Sequence, residues 1–247
     1  MYYIDFLTEV HRRHRPGAYL EIGVASGKSL RLAGCRAVGV DPAFAITTPL
    51  DNDVAVLRTT SDEYFNRPDP MQVTKGQPYE LAFIDGLHLF EFALRDYINT
   101  ERHSSAHGMI ILDDMYPRTV DEAARVRHTD AWTGDVFWII EVLAKYRPEL
   151  TVVGVDTQPT GLLLVLGLDP ADTTLTDHYD EILAEFRRSD PQPVPAAILD
   201  RSSVFPAARL LESELIEAAR SAETPAEIQA NLQRVAASRL GADFVNA

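Results

Sequence analysis

The chain has 247 residues, 46% of them hydrophobic and 24% charged, which allows one sizeable α/β core plus an appendage. A formal net charge of −14 disfavours nucleic acid and anionic membrane as partners, and the single Cys35 excludes an internal disulfide or a multi-cysteine metal site. No apolar stretch approaches a membrane span, and the N-terminus lacks a signal-peptide pattern, so a cytoplasmic location is expected.

Strand-like and helix-like periods alternate through the first two-thirds, the pattern of a mostly parallel sheet. Ile4 to His14 reads as an amphipathic helix closed by Arg15-Pro16-Gly17. Tyr19 to Val24 is the first buried strand, and Gly27 to about Ala33 a very short helix. Ala37 to Val40 and Val54 to Arg58 are the next two strands, and Ser61 to Asn66 a short helix. Leu81 to Ile84 is strand four. His88 to Glu101 follows as a helix, with Leu87, Glu91, Leu94 and Ile98 at helical spacing and Glu91 able to pair with Arg95. Gly108 opens strand five, and a helix is expected from about Thr133 to Tyr146, stopped before Pro148. Thr151 to Val155 and Leu162 to Leu168 are joined by only Asp156 to Gly161, too short for a crossover helix, so they should pair antiparallel. The expected fold is a doubly wound, seven-stranded, mostly parallel sheet ending in an antiparallel hairpin.

Residues 176–188 read as another helix. The composition changes after Ser189, which divides the chain into 1–189 and 190–247. Pro191, Pro193 and Pro195 make a stiff linker to two helices, about 206–222 and 225–240. The second has a capping box, with Thr224 as N-cap, Pro225 at the first position and Glu227 three residues on, and Gly241 closes it. Leu210, Leu211, Leu215 and Ile216 stripe one helix; Ile228, Leu232 and Val235 stripe the other. Such a hairpin must bury both stripes elsewhere, as a homodimer interface or as a buttress on its own sheet.

The chemistry gathers where these strands end. Glu21-Ile22-Gly23-Val24-Ala25-Ser26-Gly27 links strand one to the first helix, and its glycines allow a tight turn and close approach to a ligand. It does not match the dinucleotide pattern G-x-G-x-x-G. Asp41, ending strand two, can accept from both hydroxyls of a ribose, or simply start the Asp41-Pro42 turn. Together they favour an adenosine ligand. Asp85 ends strand four, and Asp113 and Asp114 end strand five. Any one of these could cap the following helix. Three carboxylates at one sheet edge call for a cation, and oxygen-only ligands favour Mg²⁺.

E-x-G-x-x-x-G, Val40-Asp41, Thr60-Ser61-Asp62, Phe83-Ile84-Asp85-Gly86-Leu87-His88 and Leu112-Asp113-Asp114 resemble the class I S-adenosylmethionine-dependent methyltransferases. The last two motifs narrow the resemblance to the metal-dependent catechol and macrolide-sugar O-methyltransferases, and it covers residues 18 to about 168. That resemblance implies a Rossmann-like fold and a cofactor site of Glu21, Gly23, Ala25, Ser26, Gly27, Asp41, Ser61, Asp62 and Asp85. It also implies Mg²⁺ at Asp85, Asp113 and Asp114. Ala25 departs from the family by replacing a common glycine. His88 falls where catechol O-methyltransferase has its catalytic lysine, and with Asp85 completes the catalytic set; otherwise it is an ordinary histidine in a first helical turn. The remaining histidines, His11, His14, His103, His107, His128 and His178, are expected at the surface. Tyr116, Trp132, Phe137 and Trp138, with Arg118 and Asp135, are candidates for an acceptor pocket, or ordinary core. The expected activity is Mg²⁺-dependent O-methylation of a hydroxylated small molecule, such as a sugar in natural-product biosynthesis. Its alternatives are a metal-independent methyltransferase and a catalytically silent cofactor-binding protein.

Overall fold

Apolar residues run almost unbroken along the central strands, so that both faces of the sheet are buried, the signature of a parallel sheet covered on each side. The computed structural model describes residues 1–50, 53–220 and 224–241. In chain order the elements are α1 (Tyr3–His14), β1 (Ala18–Ile22), β2 (Arg36–Val40), β3 (Val54–Leu57), α2 (Ser61–Phe65), β4 (Tyr79–Ile84), α3 (Phe90–Arg102) and β5 (Ser104–Leu112). Then come α4 (Trp138–Tyr146), β6 (Thr151–Asp156), β7 (Leu162–Leu166), α5 (Thr174–Asp177), α6 (Tyr179–Phe186) and α7 (Ala196–Leu199). The chain closes with β8 (Val204–Pro206), α8 (Ala207–Leu211), α9 (Leu215–Ala218) and α10 (Pro225–Leu240).

The strands lie in the order β3-β2-β1-β4-β5-β7-β6-β8. The first five run parallel, and β7 is antiparallel to both β5 and β6, as the short hairpin connection required. The sequence reading missed β8. It pairs parallel with β6 over three residues and makes the sheet eight-stranded. One face packs Leu20, Ile22, Ala82, Ile84 and Ile110 against α2, α3, α4 and α6. The other packs Tyr19, Leu81, Phe83, Met109 and Ile111 against α1, α8, α9 and α10.

Several boundaries differ from expectation for identifiable reasons. The helix expected at Gly27–Ala33 is only a 3₁₀ turn, Leu30–Leu32. Helix α4 starts at Trp138 rather than Thr133, because residues 133–135 are tied by their own hydrogen bonds to Glu122 and Phe90. Residues 174–186 form two short helices, α5 and α6, in place of one. His11 and His14 are buried, not surface residues. Desolvation pushes both pKa values down to about 4, and His14 Nε2 faces the Glu80 carbonyl at 2.8 Å.

The Pro-rich segment does not carry the tail helices away. The β1–β2 connection holds only that 3₁₀ turn, so its face of the sheet is short of helical cover, and the tail supplies it. Leu210, Leu215, Ile216, Ile228 and Leu232 are essentially fully buried, with α10 lying across β5 and β6. The first expected tail helix is broken into α8 and α9 at Glu214, whose φ is 65°, and residues 221 and 222 lie outside the described set. The capping box of α10 is present as expected. A dimer would therefore need a surface other than these two stripes. Leu232→Ala should cost about 2–5 kcal/mol in urea unfolding, as for other buried leucines. An unchanged midpoint would mean that the tail is not part of the core.

Candidate active site

The strand registers place the chemistry. Ile22 stands beside Val40 and Ile84, and Ile84 beside Leu112, so the residues that follow them form one row at the carboxyl edge of the sheet. The ladder continues one step into that row. Gly23 N–H donates to Val40, Asp85 N–H to Ile22 and Asp113 N–H to Ile84, at 2.8–3.0 Å. Gly23, Asp41, Asp85 and Asp113 are thereby fixed as neighbours at the place where open α/β sheets bind ligands.

A cleft of about 650 Å³ opens there. Of the expected cofactor residues, Gly23, Ala25, Asp41, Ser61, Asp62 and Asp85 line it; Glu21, Ser26 and Gly27 do not. Gly23 has φ +86°, and a Cβ there would lie 1.7 Å from the Asp85 carbonyl oxygen. Only glycine fits. Ala25 adopts φ 46° and gives its N–H to Asp41 Oδ2 at 2.8 Å, beside that of Val24 at 3.0 Å. Asp41 Oδ1 accepts from Ala43 N–H at 2.6 Å. Three of the roughly four lone-pair sites of a carboxylate are then used in bracing the loop, leaving one for a ligand hydroxyl. The Ser61 end is set by a capping box between Thr60 and Glu63 that starts α2. Asp62 is held by the Arg95 guanidinium at 2.7 Å, so Arg95 pairs here and not with Glu91. Glu91 pairs with Arg125 and Arg187 instead.

Glu21 points into the sheet core. It accepts from Tyr19 Oη at 2.7 Å and Ser29 Oγ at 2.8 Å, and burial pushes its pKa up to about 8. Because the folded value lies above the ordinary 4.5, its contribution to stability is full below pH 4.5 and is lost as pH rises to about 8. Glu21→Gln keeps two polar atoms for those hydroxyls and cannot ionise. The stability difference, variant minus wild type, should therefore rise with pH by up to about 1.4 kcal/mol per unit in that window. Comparing the two proteins cancels the histidine contributions. Parallel urea curves at pH 5 and pH 8 would disprove the buried, neutral Glu21.

The carboxylates form the other half of the site. The ligand atoms of Asp85, His88 and Asp114 lie within 4.8 Å of one another. Asp113 lines the cleft but turns its Oδ1 to the Asp114 N–H at 2.8 Å, so His88 takes its expected place in the convergent group. His88 itself is not in a helix. The helix starts only at Phe90, and His88 sits in the preceding turn at φ 55° while Leu87 is exposed. Asp135 explains this, because its Oδ1 accepts the Phe90 N–H at 2.8 Å and caps α3 from 45 residues away. The imidazole lies between Asp85 Oδ1 at 3.1 Å and Asp114 Oδ2 at 3.0 Å, faces the Trp132 carbonyl, and stacks on the Trp132 ring at 5.3 Å. Burial alone would lower its pKa; the Asp85 hydrogen bond and the two carboxylate charges more than reverse this, to about 9. Burial and its acidic neighbours push Asp113 well above the carboxylate range, and Asp114 to about 6. Such crowding is what a bound cation relieves, so the donor set fits a divalent ion.

Of the expected acceptor-pocket aromatics, Tyr116, Phe137 and Trp138 are core; only Trp132 reaches the site, through His88. Arg118 pairs with Glu122. Tyr2, Tyr3, Phe92, Asp96, Pro159 and Thr160 also line the cleft, and the sequence reading missed all of them. Asp96 had a signal, an acid on the buried stripe of α3 between Ala93 and Tyr97; burial pushes it up to about 7 against the Ser61 hydrogen bond.

Residues 20–115 match the family model described as a methyltransferase domain. This stretch runs from β1 to the turn after β5 and includes Gly23, Asp41, Asp85, Asp113 and Asp114. A search of curated proteins gave no match. Similar solved structures include a putative O-methyltransferase from Klebsiella pneumoniae, 19% identical, with 66% of this chain and 79% of that one covered and a TM-score of 0.48. Another is the O-methyltransferase TomG from Streptomyces achromogenes, solved with S-adenosylmethionine, at 18% identity, 66% and 78% coverage and TM-score 0.49. A third is an O-methyltransferase from Bacillus cereus solved with S-adenosylhomocysteine, at 15%, 66%, 80% and 0.48. No helix among the described residues is long and apolar enough to cross a membrane.

Proposed function

We propose that the chain is a Mg²⁺-dependent O-methyltransferase that moves the methyl group of S-adenosylmethionine to a hydroxyl of a small molecule, in the class of sugars and other natural-product intermediates. One observation carries this. The braced glycine loop with Asp41, and the group Asp85, Asp113 and Asp114, share one cleft on adjacent strand ends. Gly23, Ala25 and Asp41 hold the amino-acid and ribose parts of the cofactor, and Ser61 and Asp62 the adenine edge. Asp85 and Asp114, with Asp113 beside them, would hold a divalent ion, and its Lewis acidity would make the acceptor oxygen more acidic.

The protein's remaining task is alignment, because an in-line displacement at carbon gains most from a fixed approach of the oxygen. His88 is the residue placed to take the departing proton. Between two bare carboxylates it is protonated. With Asp85 and Asp114 neutralised by a cation, the imidazole would lose what holds that proton and could act as a base. The net charge of −14 fits a small-molecule acceptor rather than nucleic acid or membrane as partner. Transfer of labelled methyl from S-adenosylmethionine to a panel of hydroxylated acceptors, with and without chelator, tests the proposal. Full activity after exhaustive chelation would favour a metal-independent enzyme, and no transfer to any acceptor a silent binding protein.

A further inference from the structure

The segment after the Pro-rich stretch sends one charged side chain back into the sheet. Arg201 lies in the turn between α7 and β8, at φ 54°, and the pairing of β8 with β6 brings it beside the β6–β7 turn. Its side chain is only 16% exposed. Nη1 donates to Asp156 Oδ1 at 3.0 Å and to the Thr157 carbonyl at 3.2 Å. Nη2 donates to the Pro159 carbonyl at 2.5 Å and to that of Tyr116 at 3.4 Å. Three of these oxygens belong to the β6–β7 connection and the fourth to the segment leaving β5. A planar guanidinium can hold such a set at once, whereas an ammonium acts as a single point.

The turn that Arg201 holds is a wall of the cleft, lined by Pro159 and Thr160. Thr160 is tied to the segment after β5 in two ways. Its carbonyl accepts from Tyr116 N–H at 2.8 Å, and its hydroxyl hydrogen-bonds the Asp114 carboxylate. The start of the chain joins the same turn, with Tyr3 N–H donating to the Gln158 carbonyl at 3.1 Å and Gln158 N–H to that of Met1 at 2.9 Å. Connections between strands are the mobile parts of a fold. One cation binding both segments removes motion that the Asp114 carboxylate would otherwise share. The ordinary task for Arg201 would be to fasten the tail, but the buried Leu210, Leu215, Ile216, Ile228 and Leu232 already do that.

We propose that Arg201 is a positioning residue for the cation site: acting through Thr160, it fixes the Asp114 carboxylate where it converges with Asp85 and His88. This rests on the metal-dependent reading, and it makes the 190–247 segment part of the machinery of the cleft. Gly23, Ala25 and Asp41 follow β1 and β2, on the far side of β4 from this contact, so cofactor binding should not depend on it.

The test is a calorimetric Mg²⁺ titration of the full chain with saturating S-adenosylhomocysteine, whose own affinity is measured separately. Arg201→Met and Thr160→Val should each weaken Mg²⁺ binding about tenfold, the scale of a lost hydrogen bond to a charged group. The double variant should lose no more than either single one, because the two residues act in series. Arg201→Lys keeps the charge without the fork and should lose a smaller factor, about threefold; it carries the test if the methionine variant does not fold. S-adenosylhomocysteine affinity should stay at the wild-type value throughout. Wild-type Mg²⁺ affinity in either Arg201 variant, losses that multiply in the double variant, or a parallel fall in S-adenosylhomocysteine affinity overturns the proposal. A wild type that binds S-adenosylhomocysteine but not Mg²⁺ is a separate outcome, which removes the metal-dependent reading and the proposal with it.

Discussion

Gly23→Ala should abolish cofactor binding and destabilise the fold by about 2–6 kcal/mol, combining left-handed strain with overpacking. At φ +86° the new Cβ would overlap the Asp85 carbonyl oxygen at 1.7 Å, and that oxygen belongs to the strand end carrying the Asp85 carboxylate. The chain can relieve the overlap only by parting β1 from β4 where the cleft floor forms. Gly76 provides the control. Its φ is +77° and nothing lies within 4 Å of its would-be Cβ, so Gly76→Ala should show the strain alone, roughly 1–2 kcal/mol. Thermal unfolding and a cofactor titration of both variants separate the two effects. Equal losses would mean that the close approach at Gly23 is not tight.

Asp114→Asn and Asp85→Asn should each lower kcat by roughly 10²–10³-fold, the scale seen when one preorganised electrostatic group is removed from a site. Excess Mg²⁺ should restore part of that, because an amide oxygen remains a weak ligand. Asp114 is the more informative of the two. It holds one side of His88 and stands at φ 62°, in a left-handed position that asparagine also tolerates, so the backbone should survive the change. Calorimetric Mg²⁺ titration reads the metal site independently of turnover. Variants that bind Mg²⁺ as wild type does would remove these carboxylates from the metal site.

What was legible in the sequence was the row of strand ends. Apolar runs that stop on Gly23, Asp41, Asp85 and Asp113 are local signals, and parallel pairing in register turns them into neighbours. Contacts made from far along the chain were not legible. His88 reads as helical from its own surroundings, and only Asp135, capping Phe90 across 45 residues, moves the helix start past it. The ligand atoms that converge are therefore those of Asp85, His88 and Asp114, while Asp113, expected in the metal set, turns to the Asp114 N–H. The tail's apolar stripes were plain, but their destination depended on how little cover the short β1–β2 connection provides. Tyr2 and Tyr3 carry no motif; they reach the cleft because the β6–β7 turn holds the first residues of the chain against it.

The most direct test of the central claim is a calorimetric titration of S-adenosylmethionine into wild type and Asp41→Ala. Binding of one cofactor per chain is predicted, weakened in the variant by about 1.5–3 kcal/mol for loss of a charge-assisted hydrogen bond, or roughly 10- to 150-fold. No binding by wild type, or the same affinity in both proteins, would contradict it.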